Sequence, residues 1–210
     1  MDESDFGKKF YKKVTVDGKT VGKWVVFVNL NEYDDDGNCI HYLDCNRHEE
    51  WREYAENGKL IHIRRRNGYE EWYELDSTGN MISKKNSKGK KIIYKVKSNS
   101  EGKIVHREGS DGEESWWEYD ESGNNIYEKT LDSDGYEKEW FYEYNDENKC
   151  VHLKYFVDGD ISEECFYELN EKGYRSHTKQ LIDGKEFNFW REYEYWDNGK
   201  PRKEFLFRAL

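Results

Sequence analysis

The phrase WYELDSTGN, residues 72–80, returns along the chain as WREYAENGK from residue 51, WWEYDESGN from 116 and CFYELNEKG from 165. A phrase that recurs at a period of about 20 to 50 residues marks an array of stacked supersecondary units. Aligned on the turn residue, the units centre on Gly37, Gly58, Gly79, Gly102, Gly123, Asn148, Gly173 and Gly199, spaced 21 to 26 residues apart. Asn148 replaces glycine because asparagine also tolerates the left-handed backbone.

Each position around the turn has a chemical habit. Glu stands five before it (Glu32, Glu53, Glu74, Glu118, Glu143, Glu168, Glu194), and Lys97 breaks the rule in the fourth unit. A ring often stands seven before it (Trp51, Trp72, Trp116, Phe141, Phe166). Ile or Val follows three after it, and His four after it in five units (His41, His62, His106, His152, His177). Alternation with period two, cut by Asx-Gly turns, is the pattern of β-hairpins. No stretch keeps the 3.6 period of a helix.

The expected fold is therefore all-β: an antiparallel β-hairpin repeat array of about 16 strands of about 5 or 6 residues, forming a twisted, coiled sheet or β-solenoid. The position six before the turn residue is expected to face the Ile three after it and to form the core face. The Trp, Glu and His slots share the other face. Two sheet edges need protection, and the basic KKFYKK and GKPRKEF segments would supply it. VTVDGKTV at 14–21 is expected to be a capping hairpin. Residues 1–9 are expected to be a disordered tail, leaving residues 10–210 as a single repeat domain.

Composition constrains function more than it reveals it. Hydrophobic residues make up 35% and charged residues 38%, which alone would favour disorder, but 8 Trp, 17 Tyr and 10 Phe supply large areas to bury. A net charge of −11 argues against a duplex-binding surface. The N-terminus has no apolar run of the kind that secretory signals carry, and a cytoplasmic location is expected. The cysteines at 39, 45, 150 and 165 form no C-x-x-C pair, and Cys39 and Cys150 read as small apolar fillers. A periodic column gives every Glu a similar setting, whereas acid–base catalysis needs carboxylates in different ones. No enzyme, no cofactor and no metal site is expected.

GYEEWYELDSTGN and ESWWEYDESGN resemble the YD repeat of Rhs-type polymorphic toxin proteins. EYAENGKLIH and YWDNGKPRKEF are similar to the MORN-like hairpin repeats of the YwqK-type antitoxin family, and WYELDSTGNM to the choline-binding repeat of wall-attached proteins. The first two likenesses imply a β-sheet protein of a toxin or antitoxin system. The functional expectation is a non-catalytic protein-binding repeat protein, an immunity or antitoxin-like partner of a bacterial polymorphic toxin. The alternative is a glycan- or choline-binding module or a structural repeat. The expected partner is a basic toxin domain, with no nucleic acid or membrane, and it would meet the face bearing Trp51, Glu53, Trp72, Glu74, Trp116 and Glu118.

Overall fold

The computed structural model describes residues 1–16 and 19–210. After a 3-10 turn over Glu3–Asp5, the chain runs through seventeen strands among the described residues. The first nine are β1 (Lys9–Val16), β2 (Lys19–Tyr33), β3 (Cys39–Asp44), β4 (Glu49–Tyr54), β5 (Leu60–Arg65), β6 (Glu70–Leu75), β7 (Met81–Asn86), β8 (Lys91–Ser98) and β9 (Ile104–Gly109). There follow β10 (Glu114–Tyr119), β11 (Asn125–Leu131), β12 (Glu137–Tyr144), β13 (Cys150–Val157), β14 (Asp160–Leu169), β15 (Arg175–Ile182), β16 (Lys185–Tyr195) and β17 (Pro201–Ala209).

The turns explain the spacing. Asp34 N–H donates to Asn38 O at 3.0 Å and Gly37 N–H to Asp34 O at 3.1 Å, which encloses three loop residues and ends on a glycine at φ 89°. This is the three-residue hairpin, a type I turn closed by a left-handed residue. Asn148 occupies that position at φ 57°. Where Asp or Asn opens the turn, its side-chain oxygen caps it: Asp76 Oδ1 accepts from Thr78 N–H at 2.8 Å and Asn80 N–H at 2.9 Å, and Asn145 Oδ1 from Lys149 N–H at 2.9 Å.

One β-bulge per hairpin sets the register. Glu53 pairs with His62, but Tyr54 pairs with Leu60, so Ile61 has no partner of its own. The position six before the turn residue consequently meets the residue five after it, as Tyr73 meets Lys84, and not the Ile three after it. The displacement is by two, an even number, so the Trp, Glu and His slots still share a face. The aliphatic slot leaves the expected core: Ile40 and Ile82 are 39% and 37% exposed.

Closure overturns the expected open sheet or solenoid. Neighbours pair antiparallel from β2 through to β17, and β17 then pairs with β2 from Lys203–Glu32 to Ala209–Val25. Sixteen strands thus form a closed barrel, with β1 added to the free half of β2. A sheet whose ends meet has no edges, so GKPRKEF guards none; Pro201 is buried and pairs with Tyr195. Sixteen strands at about 4.8 Å spacing, tilted by about 40°, give a circular barrel about 32 Å across. The accessible surface is 12936 Å², against about 10,300 Å² for a compact globule of this mass, so the sheet leaves more surface open than a compact globule does.

Crowding distinguishes the two faces. One carries Tyr33, Tyr167, Tyr193, Glu50, Arg65 and Glu204, and burial drives the phenols of Tyr33, Tyr167 and Tyr193 upward. The other carries Glu53, Glu74 and Glu143, whose side chains are 71%, 62% and 69% exposed. Side chains converge on the concave side of a closed sheet, so the first face lines the ring. That wall is polar as well as aromatic. Glu50 accepts from Arg52 Nε at 2.7 Å and Arg65 Nε at 3.1 Å, and Arg191 Nε lies 3.3 Å from Glu204.

The compact apolar cluster lies outside the ring. Val14 of the N-terminal hairpin packs with Val25, Phe27, Leu30, Trp190, Phe205 and Phe207, and Phe6 stacks on Phe27 at 4.6 Å. The hairpin folds over the β16–β17–β2 seam, where Lys12 meets Glu192 at 2.7 Å and the Phe207 ring at 4.2 Å. Asp17 and Gly18, the turn of the expected capping hairpin, lie outside the described residues.

Phe207 is fully buried in this cluster, so Phe207→Ala should cost about 3–5 kcal/mol in chemical denaturation. Burial tends to raise the Glu50 carboxyl, but the Arg52 and Arg65 hydrogen bonds outweigh it and hold it below its ordinary 4.5. Its stabilising contribution is complete above that value and is lost as pH falls through the lowered one. Acid titration of Glu50→Gln should show a shallower fall in melting temperature below about pH 5 than the parent shows.

Candidate functional site

Because Glu and His slots share the outward face, the strands place them directly opposite one another. Glu32 pairs with His41, Glu53 with His62, Glu143 with His152 and Glu168 with His177. On its other side each of these histidines meets the ring of the next unit. His41 stacks on Trp51 at 5.4 Å, His62 on Trp72 at 5.3 Å, His152 on Phe166 at 4.5 Å and His177 on Trp190 at 5.1 Å.

Hydrogen bonds complete a clamp around each imidazole. His41 Nδ1 lies 2.9 Å from Glu32 and its Nε2 3.1 Å from Glu49. His62 stands between Glu53 at 3.3 Å and Glu70 at 2.9 Å, and His152 between Glu143 at 3.1 Å and Glu164 at 2.9 Å. Two carboxylates are both satisfied only when both ring nitrogens carry hydrogen. His177 uses Glu168 at 2.9 Å and the Asn188 side-chain oxygen at 2.8 Å.

The second acid of the clamp is a column that the sequence reading missed. Glu49, Glu70, Glu114, Glu139 and Glu164 stand nine before their turn residues, and that recurrence is visible in the sequence. Where Tyr127 fills the histidine slot, its hydroxyl donates to Glu139 at 2.5 Å. Where Ser83 fills it, the opposite residue is Ile93, and Ser83 and Lys91 turn to Glu74 instead. The clamp is thus lost as a unit.

The six expected contact residues all lie on this outward face, but they are not equally free. Trp51 is half-buried between His41 and Arg64, whose guanidinium sits 4.4 Å from the ring centre. Trp116 is half-buried and lies 5.3 Å from His106, while Trp72 is 40% exposed. Glu53, Glu74 and Glu118 are exposed. Hydrogen bonds from Ser83 and Lys91 lower the Glu74 carboxyl below its ordinary value. Around the barrel the layers therefore repeat as carboxylate, imidazole, ring and cation, with the carboxylates outermost.

Among the described residues, no group of three or more His, Cys, Asp or Glu is placed to hold a metal ion. Burial raises the Cys39 and Cys150 thiols, and with the Glu163 contact it pushes Cys165 up to about 12, disfavouring thiolate in each.

No family model matches the chain, and no curated protein matches it. Solved structures to which the chain shows a likeness include a crystal structure of TcdB2-TccC3-Cdc42, at 12% identity and a TM-score of 0.42, covering 91% of this chain and 11% of that one. A porin-like protein from Bacteroides uniformis has 12% identity and a TM-score of 0.42, covering 80% of this chain and 60% of that one. The chain thus spans less than two thirds of either.

The incomplete clamp offers a test. His106 has Glu114 at 3.3 Å, but Lys97 stands opposite it where other units have Glu. Lys97→Glu should complete the clamp and stabilise the protein by up to about 1 kcal/mol, read as a rise in melting temperature.

Proposed function

We propose that this chain is a non-catalytic binding protein whose outward belt receives a basic protein, in the role of an immunity or antitoxin-like partner of a bacterial polymorphic toxin. The observation that carries the reading is the row of carboxylates Glu53, Glu74 and Glu118, exposed on the convex face beside Trp51, Trp72 and Trp116. Exposed acid speeds association with a basic partner, and half-exposed rings supply contact area. The role also rests on the likeness of the repeats to those of toxin and antitoxin proteins, and a cytoplasmic location follows from it. Glycan binding is less well supported: sugars stack on open ring faces, and histidine covers one face of these rings and Arg64 the second face of Trp51.

The test is capture of a basic protein from the native cells by the immobilised parent and by the triple variant Glu53→Lys, Glu74→Lys, Glu118→Lys. The expected outcome is a partner held by the parent, with association at least tenfold slower and largely insensitive to salt for a folded triple variant. Co-expression with the captured protein should also relieve its toxicity. Equal binding by both forms would remove this face as the site, and absence of protection would remove the immunity role.

A further inference from the structure

The N-terminal hairpin differs from the ring in charge and in edge. Residues 8–23 hold six lysines and one aspartate, a net +5 that leaves −16 for the rest of a chain whose total is −11. β1 pairs with β2 on one side, and among the described residues no ladder joins its other side. The Trp190 indole donates to Thr15 O at 3.3 Å, so the Thr15 carbonyl points away from β2. Backbone groups of an antiparallel strand alternate in direction. Those of Lys13, Tyr11 and Lys9 therefore face the same open edge.

Side chains reinforce this opening. Burial along β1 alternates, with Lys9, Tyr11, Lys13 and Thr15 exposed and Val14 buried. Tyr11 is 64% exposed and meets Trp24, 57% exposed, edge to face at 5.5 Å. Gly22 makes room for this pair: a Cβ there would run into the Tyr11 ring. Lys12 is held by Glu192, whereas no ion pair is described for Lys9 or Lys13.

We infer that the open edge of β1, from Lys9 to Lys13, takes an extended acidic segment of another protein as an added β-strand, with Tyr11 and Trp24 packing on its side chains. Main-chain hydrogen bonds supply the affinity of such strand addition, and alternate side chains the selectivity. Lysines on an edge repel a second copy of that edge, because antiparallel pairing would set Lys against Lys. The strands of the ring pair with one another, so they are not the guest, and the half of β2 that β17 leaves unpaired carries Lys19 and Lys23, which repel the lysines of β1. An acidic strand turns the same lysines from a barrier into partners. This surface is separate from the acidic belt, and its test is independent of it.

The experiment uses the full chain and a fluorescent eight-residue peptide of alternating Glu and Val, with a copy N-methylated at alternate residues and a Lys–Val copy as controls. The acidic peptide should bind with Kd below about 1 mM. N-methylation, charge reversal of the peptide, or Lys9→Glu with Lys13→Glu in the protein should each weaken it at least tenfold. Gly22→Ala, which moves the Tyr11 ring and leaves every charge in place, should weaken it several-fold, with circular dichroism confirming the fold. The proposal fails if the acidic peptide does not bind in that range, if the N-methylated copy binds as well, if a single-stranded oligonucleotide binds more tightly, or if light scattering shows the chain pairing with itself.

Discussion

Pairing of β17 with β2 is the constraint on which the rest of the structure depends. Hairpin units of this kind contact only their neighbours, so an array of them ends in two raw edges wherever it stops. The seam joins residues more than 160 positions apart, and local turn chemistry contributes nothing to it. It is also where the chain concentrates its apolar contacts. Phe27, Leu30, Phe205 and Phe207 gather on the outer side of the seam beneath the N-terminal hairpin. At the turn end, Trp196, Asn198 and Lys200 donate to the carbonyls of residues 33–36. Loop-closure entropy grows slowly with length, so one apolar seam suffices to hold a long ring closed.

The remaining wall is stabilised in another way. Its outer surface has little aliphatic content but a layered order in which many carboxylates have an imidazole or a cation as a neighbour. A column of glutamates would repel itself if it stood alone. Interleaved with imidazole, indole and guanidinium, it becomes a set of short cross-strand contacts of the kind that each add a few tenths of a kcal/mol to about 1 kcal/mol. The inner wall answers the same problem with buried pairs such as Glu50 with Arg52 and Arg65. A mean composition that leans toward disorder is thereby reconciled with a regular sheet: rings supply area, and paired charges fill the rest.

Charge is also unevenly shared between parts. The ring is strongly acidic and the folded-over hairpin is basic, and the two meet only at a few pairs such as Lys12 with Glu192. A molecule of this kind can present opposite faces to different partners. The belt offers carboxylates and half-covered rings on a rigid convex surface. The hairpin offers an open strand edge, which is the one kind of surface the ring has eliminated.

Much of the local structure was legible in the sequence. The turn residues, including Asn148 in place of glycine, the strand count to within one, and the common face of Trp, Glu and His all follow from period-two alternation and Asx-Gly punctuation. The nine-before glutamate column was equally present, and its role appeared only when the register of the next ladder, β5 with β6, placed Glu70 diagonal to His62. The bulge at Ile61 escaped because Glu-Tyr and Ile-His read the same with or without an extra residue between pairing partners. Closure escaped for a stronger reason. Whether a long antiparallel sheet stays open, coils or shuts depends on accumulated twist, tilt and stagger over all strands, quantities that no single repeat contains. Tertiary structure therefore decided which face turned inward, where the apolar cluster settled and which edge remained open, because each of these is a property of the ring and not of its unit.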